Sequence, residues 1–302
     1  MKKEFYFPSK DGMTQIHAME WIPEGEVLAV LQIVHGMTEH IVRYDDFASY
    51  LSANGIYVVG HSHLGHGKSV TGPEKMGYFH EPDGNECVIG DIHKLRKMTQ
   101  ARYPDKPYVM MGHSMGSFLL RQYLGNYGEG LSAAIIMGTG DQPDIALSAG
   151  KLVCRVLAIF KGWEYRSDFA NRFVVGSFEK KLGKGWLSKN EENVKRYHDD
   201  PLCGFVFTLN AFYHMFDGMA KMNAQEKRGK IPKELPIFFV AGSEDPVGAS
   251  GKGVKAVYQR YLAKGAKNVK IKLYEGDRHE ILNETDNQNV YEDLLGWIVK
   301  NL

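Results

Sequence analysis

The chain has 302 residues, enough for one large α/β domain with an insertion and a full-sized core. Its 37 Lys and Arg stand against 36 Asp and Glu, and a formal net charge of +1 gives no basis for binding nucleic acid. Cys87, Cys154 and Cys203 form no C-x-x-C and cannot all pair with one another, so neither a disulfide framework nor a zinc site is expected and a reducing cytoplasm is the expected setting. Residues 1–7 carry positive charge but no apolar stretch of the signal-peptide kind, and no run of about eighteen apolar residues occurs, so no transmembrane helix is expected.

In chain order, residues 5–7 and 15–22 read as two strands joined by the turn Ser9-Lys10-Asp11-Gly12. Residues 27–34 form a continuous apolar run, the pattern of a strand buried on both faces, and it ends in His35-Gly36-Met37. A helix is predicted over 45–54, closed by Gly55, then a buried strand over 56–59 and a polar loop, His61-Ser62-His63-Leu64-Gly65-His66-Gly67-Lys68-Ser69. Helical spacing returns over 85–103, with Val88, Ile92, Leu95 and Thr99 on one face, and Pro104 stops it. Further strands are predicted over 131–137, 236–242 and 269–274, with helices over 249–263 and 288–302. Strands alternating with helices imply a mostly parallel sheet covered on both faces. The gap between the strand ending at Met137 and the one starting at Pro236 far exceeds a usual connection of roughly 2–6 residues. Residues 1–140 and 236–302 are therefore expected to form the core, and 141–235 an inserted helical lid.

The stretch that organises the chain is Tyr108-Val109-Met110-Met111-Gly112-His113-Ser114-Met115-Gly116, an apolar strand driving into G-x-S-x-G, with helical spacing from Phe118 to Leu124 directly after it. Strand, tight turn and helix with a serine at the apex is the pattern of a nucleophile elbow. The glycines are needed because side chains there would meet the adjoining strand and helix. Ser114 then stands at a helix N-terminus, where the macrodipole favours negative charge.

A serine hydroxyl needs a base, and the base needs an orienting acid. In this architecture the order along the chain is Ser, then Asp or Glu, then His. Asp245, in the loop after the strand over 236–242, is the expected acid, with Glu244 as its alternative. His279, in the loop after the strand over 269–274, is the expected base. His17, His80, His93, His198 and His214 sit in no motif, and His113 is expected to point away from the chemistry. The oxyanion donors are expected to be the backbone N–H of Met115, directly after the nucleophile, and of Met37, in the loop after His35-Gly36. No metal and no cofactor is required by this chemistry.

Several of these segments resemble one family. His35-Gly36-Met37-Thr38-Glu39-His40-Ile41-Val42-Arg43-Tyr44 is similar to the H-G-x-x-E-H-x-x-R-Y segment of the monoacylglycerol lipase and lysophospholipase branch of the α/β-hydrolases, which carries the serine aminopeptidase domain label. His63-Leu64-Gly65-His66-Gly67-Lys68-Ser69 matches its H-x-G-H-G-x-S, Gly112-His113-Ser114-Met115-Gly116 its G-H-S-M-G, and Asp200-Pro201 followed by Gly204 a lid segment of bacterial members. One departure is His61-Ser62 where many members have an Asp before the first His of H-x-G-H-G. The resemblance implies an α/β-hydrolase fold, with the mostly parallel sheet and the lid, and hydrolysis of single-chain lipid esters or smaller acyl esters.

Residues 152–160 and 205–216 are rich in large apolar groups, and Phe160 and Phe207 are the expected acyl-binding residues. The same groups would also serve simply to pack the lid onto the core. The segment 141–235 has 16 Lys and Arg against 12 Asp and Glu, a slight excess compatible with peripheral contact at lipid surfaces. Alternatives to a lipid esterase are an aminopeptidase, which needs an acidic group to receive the substrate ammonium, a hydrolase of small esters, and a receptor that keeps the fold without turnover.

Overall fold

The computed structural model describes residues 1–70, 72–174 and 176–302. Eight strands form its sheet: β1 (Lys2–Pro8), β2 (Gln15–Trp21), β3 (Ala29–Val34), β4 (Ile56–His61), β5 (Tyr108–His113), β6 (Ala133–Met137), β7 (Ile237–Gly242) and β8 (Val269–Tyr274). Their spatial order is β1-β2-β4-β3-β5-β6-β7-β8; β1 and β2 run antiparallel at one edge and the rest run parallel. This is the α/β-hydrolase arrangement, with helices on both faces.

The helices are α1 (Asp45–Ala53), α2 (Gly84–Arg102), α3 (Met115–Tyr127), α4 (Asp144–Lys161), α5 (Asp168–Val174), α6 (Gly176–Leu182), α7 (Glu191–Asp199), α8 (Leu209–Lys227), α9 (Lys252–Ala263) and α10 (Asn287–Lys300). Every residue of β3, β4, β5, β6 and β7 is buried, which is why those stretches read as apolar runs, interrupted by Gln32, His61 and His113, and not as alternating ones. One core lies between the sheet and α2, α3, α8 and α9, with Ile92, Leu120, Met222, Val257 and Tyr261 in it. The other holds Phe47 and Leu51 of α1 against Leu294 and Trp297 of α10.

Several boundaries differ from the sequence expectation by one to three residues. The helix expected from 249 starts at Lys252, because Ala249, Ser250 and Gly251 take left-handed φ of 51°, 52° and 81° and form a turn first. The strand expected over 27–34 starts at Ala29. Between β6 and β7 the chain passes through α4 to α8. In this insertion α4 packs on α8 so closely that a Cβ on Gly150 would lie 2.7 Å from Phe216. Among the described residues, no helix is long and apolar enough to cross a membrane.

Candidate active site

The parallel strands deliver their loops to one edge, the carboxyl ends, where open α/β sheets place ligand sites. Ser114 follows β5 there, with φ 53° and ψ −122°, a left-handed backbone that a serine adopts only at a cost. The surroundings enforce it. A Cβ on Gly116 would collide with the Val34 carbonyl, and one on Gly112 with the Gly116 carbonyl. The Ser114 N–H donates to the Met137 carbonyl at 3.0 Å, tying the apex to the end of β6.

After β3, Gly36 brings its loop against the serine: a Cβ there would stand 3.1 Å from Ser114 Cβ. The Gly36 N–H donates to Glu39 Oε1 at 2.6 Å, which turns the loop. Among the described residues, neither the Met37 N–H nor the Met115 N–H donates to a protein acceptor, and both residues border the space beside Ser114. Such a pair of free donors can receive an oxyanion.

Asp245, after β7, is wholly buried; its Oδ1 accepts from the Val247 N–H at 2.9 Å and lies 3.0 Å from His279 Nδ1. Glu244 instead turns outward to Lys189, at 2.9 Å. A neighbouring carboxylate on Nδ1 leaves Nε2 as the atom able to accept a proton. His279, after β8, lines one cavity with Ser114, and Gly138 makes room for the imidazole, since a Cβ there would meet its Cε1 at 3.1 Å.

A buried charge network supports these loops. Arg43 donates to both oxygens of Glu280 at 2.6 and 2.8 Å and to Glu39 Oε2 at 3.0 Å. Tyr44 donates its hydroxyl hydrogen to Glu39 Oε1 at 2.8 Å, and Asn193 from α7 bonds both Arg43 and Glu280. Burial penalises the charge on Glu39, but bonding to His113 and the Arg43 charge outweigh that and hold its carboxyl far below the usual range. Burial also opposes an imidazolium at His113, yet the bond and charge of Glu39 prevail and raise its pKa. His113 Nε2 lies 3.2 Å from the His279 carbonyl oxygen, so the protonated ring can donate to Glu39 at one end and brace the His279 loop at the other. Contrary to the expectation that it points away, His113 packs its ring 4.7 Å from that of His279. Four further histidines, His35, His61, His63 and His66, are fully buried at and beneath the loop after β3. Burial lowers the pKa of each, to about 3 for His61 and about 4 for His66.

Ser114 stands where two cavities meet. The smaller and more polar one, of about 100 Å³, is bordered by Thr38, His113, Tyr197 and His279 beside Trp186, Leu187 and Phe205. An apolar one of about 330 Å³ is bordered by Phe118, Leu147, Phe178, Met215, Phe216 and Val247. Two roomier grooves, of about 580 and 610 Å³, lie elsewhere and carry none of these groups. Of the residues singled out from sequence, Ser114, Met37 and Met115 border the apolar cavity and His279 the polar one, with Asp245 behind His279. Phe160 and Phe207 do not join them. Phe160 is 78% exposed on α4, and Phe207 is buried among Phe79, Phe212 and His66. Glu280 went unremarked in the sequence although it directly follows His279; a charged residue beside that motif was the available signal.

A family model described as serine aminopeptidase, S33, matches residues 25–286. The chain belongs to the serine aminopeptidase S33 family. This serine hydrolase is 26% identical to a monoacylglycerol lipase of Mycolicibacterium smegmatis, over all of this chain and 98% of that one. It is 25% identical to the monoglyceride lipase of Mus musculus over 92% of this chain and 84% of the relative. Among solved structures it resembles a thermostable carboxyl esterase from Bacillus coagulans in complex with glycerol, at 30% identity and a TM-score of 0.90, covering 99% of this chain and 98% of the esterase. A soluble variant of the monoglyceride lipase of Saccharomyces cerevisiae shares the fold, with 19% identity and a TM-score of 0.78, over 100% of this chain and 97% of that one.

Proposed function

We propose that this serine ester hydrolase cleaves single-chain acyl esters of the monoacylglycerol or lysophospholipid kind through an acyl-enzyme. The observation that carries the reading is the seat of Ser114 between an apolar cavity and a small polar one. The acyl chain takes the apolar cavity, which lies at the small end of the roughly 300–1,000 Å³ of ligand sites, and the alcohol takes the polar one. Ser114 Oγ attacks the ester carbonyl while His279 Nε2 takes the hydroxyl proton, and Asp245 holds the imidazole in the tautomer that allows it. The N–H groups of Met37 and Met115 stabilise the oxyanion. Collapse breaks the bond to the alkoxy oxygen, which leaves with the proton from His279; water then repeats the cycle on the acyl-serine, regenerating Ser114 and releasing the acid.

The peptidase alternative is disfavoured by the acids present. The carboxylates bordering the two cavities are Glu39, Glu280 and Asp141; Arg43 engages the first two and Arg260 the third, at 2.5 Å. None is left for a substrate ammonium among the described residues.

The insertion between β6 and β7 acts in this reading as the lid. Ile145, Leu152, Val156 and Ile159 recur at helical spacing along an exposed stripe of α4, with Lys151, Arg155 and Lys161 on the same helix, and such a face suits a lipid surface.

The test is a set of p-nitrophenyl and glyceryl esters of rising acyl length, run beside aminoacyl anilides. The rate constant kcat/KM should rise with chain length and then level, anilides should turn over far more slowly, and Ser114→Ala should abolish labelling by a fluorophosphonate. A flat profile from acetyl to dodecanoyl, or preference for the anilides, would overturn the lipid-ester reading.

A further inference from the structure

Away from the residues assigned to ester cleavage, the end of α7 is joined to the loop after β3 by an unusual set of side chains. His40 Nε2 lies 2.8 Å from Asp200 Oδ2. The thiol of Cys203 completes the group, and the imidazole nitrogen, carboxylate oxygen and sulfur all lie within 4.8 Å of one another. His40 is buried and the other two are partly exposed, so the cluster opens to solvent on one side.

The backbone presets it. Asp200 and Cys203 are three apart in a turn closed by the bond from the Cys203 N–H to the Asp200 carbonyl, at 3.0 Å. Asp200 Oδ1 accepts the Leu202 N–H at 2.8 Å, which aims Oδ2 at His40. Gly204 follows with φ 68°, and its N–H donates to the Thr38 carbonyl at 3.0 Å, seating the turn on the β3 loop. Tyr197 adds bonds to Thr38 at 2.9 and 3.2 Å. Two ligands come from one turn, held by its own bonds and by Gly204, and one from a distant loop, an arrangement that presets much of a binding site.

We propose that His40, Asp200 and Cys203 form a binding site for a divalent transition-metal ion of the zinc class, separate from the ester chemistry. One nitrogen, one oxygen and one sulfur donor match the ligands zinc takes, and three protein ligands leave the fourth position to water. A tetrahedral ion holds such donors roughly 3.3–3.6 Å apart, so His40 and Asp200 move slightly apart and Cys203 draws inward. The thiol proton leaves to solvent as the metal–sulfur bond forms. The ion's charge meets Glu39 and Glu280 nearby, which offset the opposing charge of Arg43. Because Gly204, Thr38 and Tyr197 border the polar cavity, an ion here fastens the insertion to the loop that carries Met37.

The experiment uses the full chain stripped with a chelator and titrated with cobalt(II). One equivalent should bind with a thiolate-to-cobalt charge-transfer band, and zinc should displace it. Cys203→Ser should abolish the band and weaken binding at least about tenfold, whereas Cys87→Ser should leave both unchanged. This last control matters because His80, Asp83 and Cys87 make a second grouping, with Asp83 exposed and Cys87 buried. Zinc should also raise the Tm of the unsubstituted chain and protect Cys203 from alkylation by iodoacetamide, readings that need no variant. No stoichiometric band, alkylation of Cys203 undiminished by zinc, or a band that follows Cys87 would overturn the proposal. None of these readings involves an ester, so their failure leaves the hydrolase assignment standing.

Discussion

At the carboxyl ends of the strands, the carboxylates around Ser114 are each bonded to named partners: Asp245 through Oδ1 to His279 and Val247, Glu39 to Gly36, Tyr44 and Arg43, Glu280 to Arg43 and Asn193. The segment between β6 and β7 is built differently. Its residues 185–193 are tied to the His279 loop, with Leu187 accepting the Glu280 N–H at 2.8 Å and Glu284 receiving Ser188 at 2.8 Å. Yet α4 turns a row of large apolar side chains outward and borders the apolar cavity with Leu147 alone of its buried residues. The first region depends on direction and distance, the second on shape and apolar area. Substitutions in the first should therefore act as losses of rate or folding, and substitutions in the second as changes in which substrate is preferred.

The largest contrast is expected within two adjacent acids. Asp245→Asn should lower kcat roughly 10⁴-fold with the fold retained, because the imidazole loses its tautomer and orientation. Glu244→Gln should change kcat less than about twofold, since its partners are the partly exposed Lys189 and Arg278. Steady-state kinetics with circular dichroism on both variants decides it. A crippled Glu244→Gln beside a mild Asp245→Asn would reverse the assignment.

Next comes the network beneath the loops. Arg43→Met leaves Glu39 and Glu280 buried without their cation, and breaking such a pair costs about 3–5 kcal/mol. Urea unfolding should report that loss. Lys68→Met, which breaks a pair with Glu4 in which both side chains are about half exposed, should cost under about 1 kcal/mol. Equal costs would mean the network is no more than surface pairing.

The buried histidines give the same region a pH signature. His61 and His66 have folded pKa values of about 3 and about 4, below the ordinary 6.5. The unfolded chain therefore takes up protons first. Their contribution is complete above pH 6.5 and is lost as pH falls from there through 4 to 3, about 2 kcal/mol for each at pH 5. His35 and His63 act with the same sign. Asp277, raised to about 7, and Asp91, raised to about 6, both mainly by burial, bind protons on folding and pull the other way. The four histidines prevail, so the urea midpoint should fall between pH 6.5 and 5. A midpoint that holds or rises over that interval would contradict the balance.

These differences explain what could be read from sequence. The elbow was legible because close approach permits only glycine at Gly112 and Gly116, and that demand leaves letters behind. The strand runs were legible because burial on both faces keeps β3 and β5 apolar but for Gln32 and His113, whose side chains find buried hydrogen-bond partners. The start of α9 was not, since Ala249 and Ser250 carry no sign of a left-handed backbone. Nor was the joining of Arg43 to Glu280, which lie 237 positions apart. The cavity was the least legible part. Phe118, Leu147, Val174, Phe178, Trp186, Met215 and Val247 come from separate elements, and any apolar residue of suitable volume would serve in their places.

The smallest expected effect sharpens that last point. Phe160 has the composition of an acyl-binding residue but sits outside, whereas Met215 borders the cavity. Each methylene of an acyl chain that becomes buried adds up to about 0.8 kcal/mol, which is about fourfold in kcat/KM. Met215→Ala opens space worth roughly two to three methylenes, so the preferred soluble ester should lengthen by about that amount while acetyl esters react as before. Phe160→Ser should leave the whole soluble profile in place, because no bound chain reaches it, and should weaken sedimentation with anionic lipid vesicles, where an exposed aromatic ring on α4 gains burial. If Phe160→Ser shifts the preferred chain length and Met215→Ala does not, the acyl group lies along the outer face of α4 and the cavity beside Ser114 serves another part of the substrate.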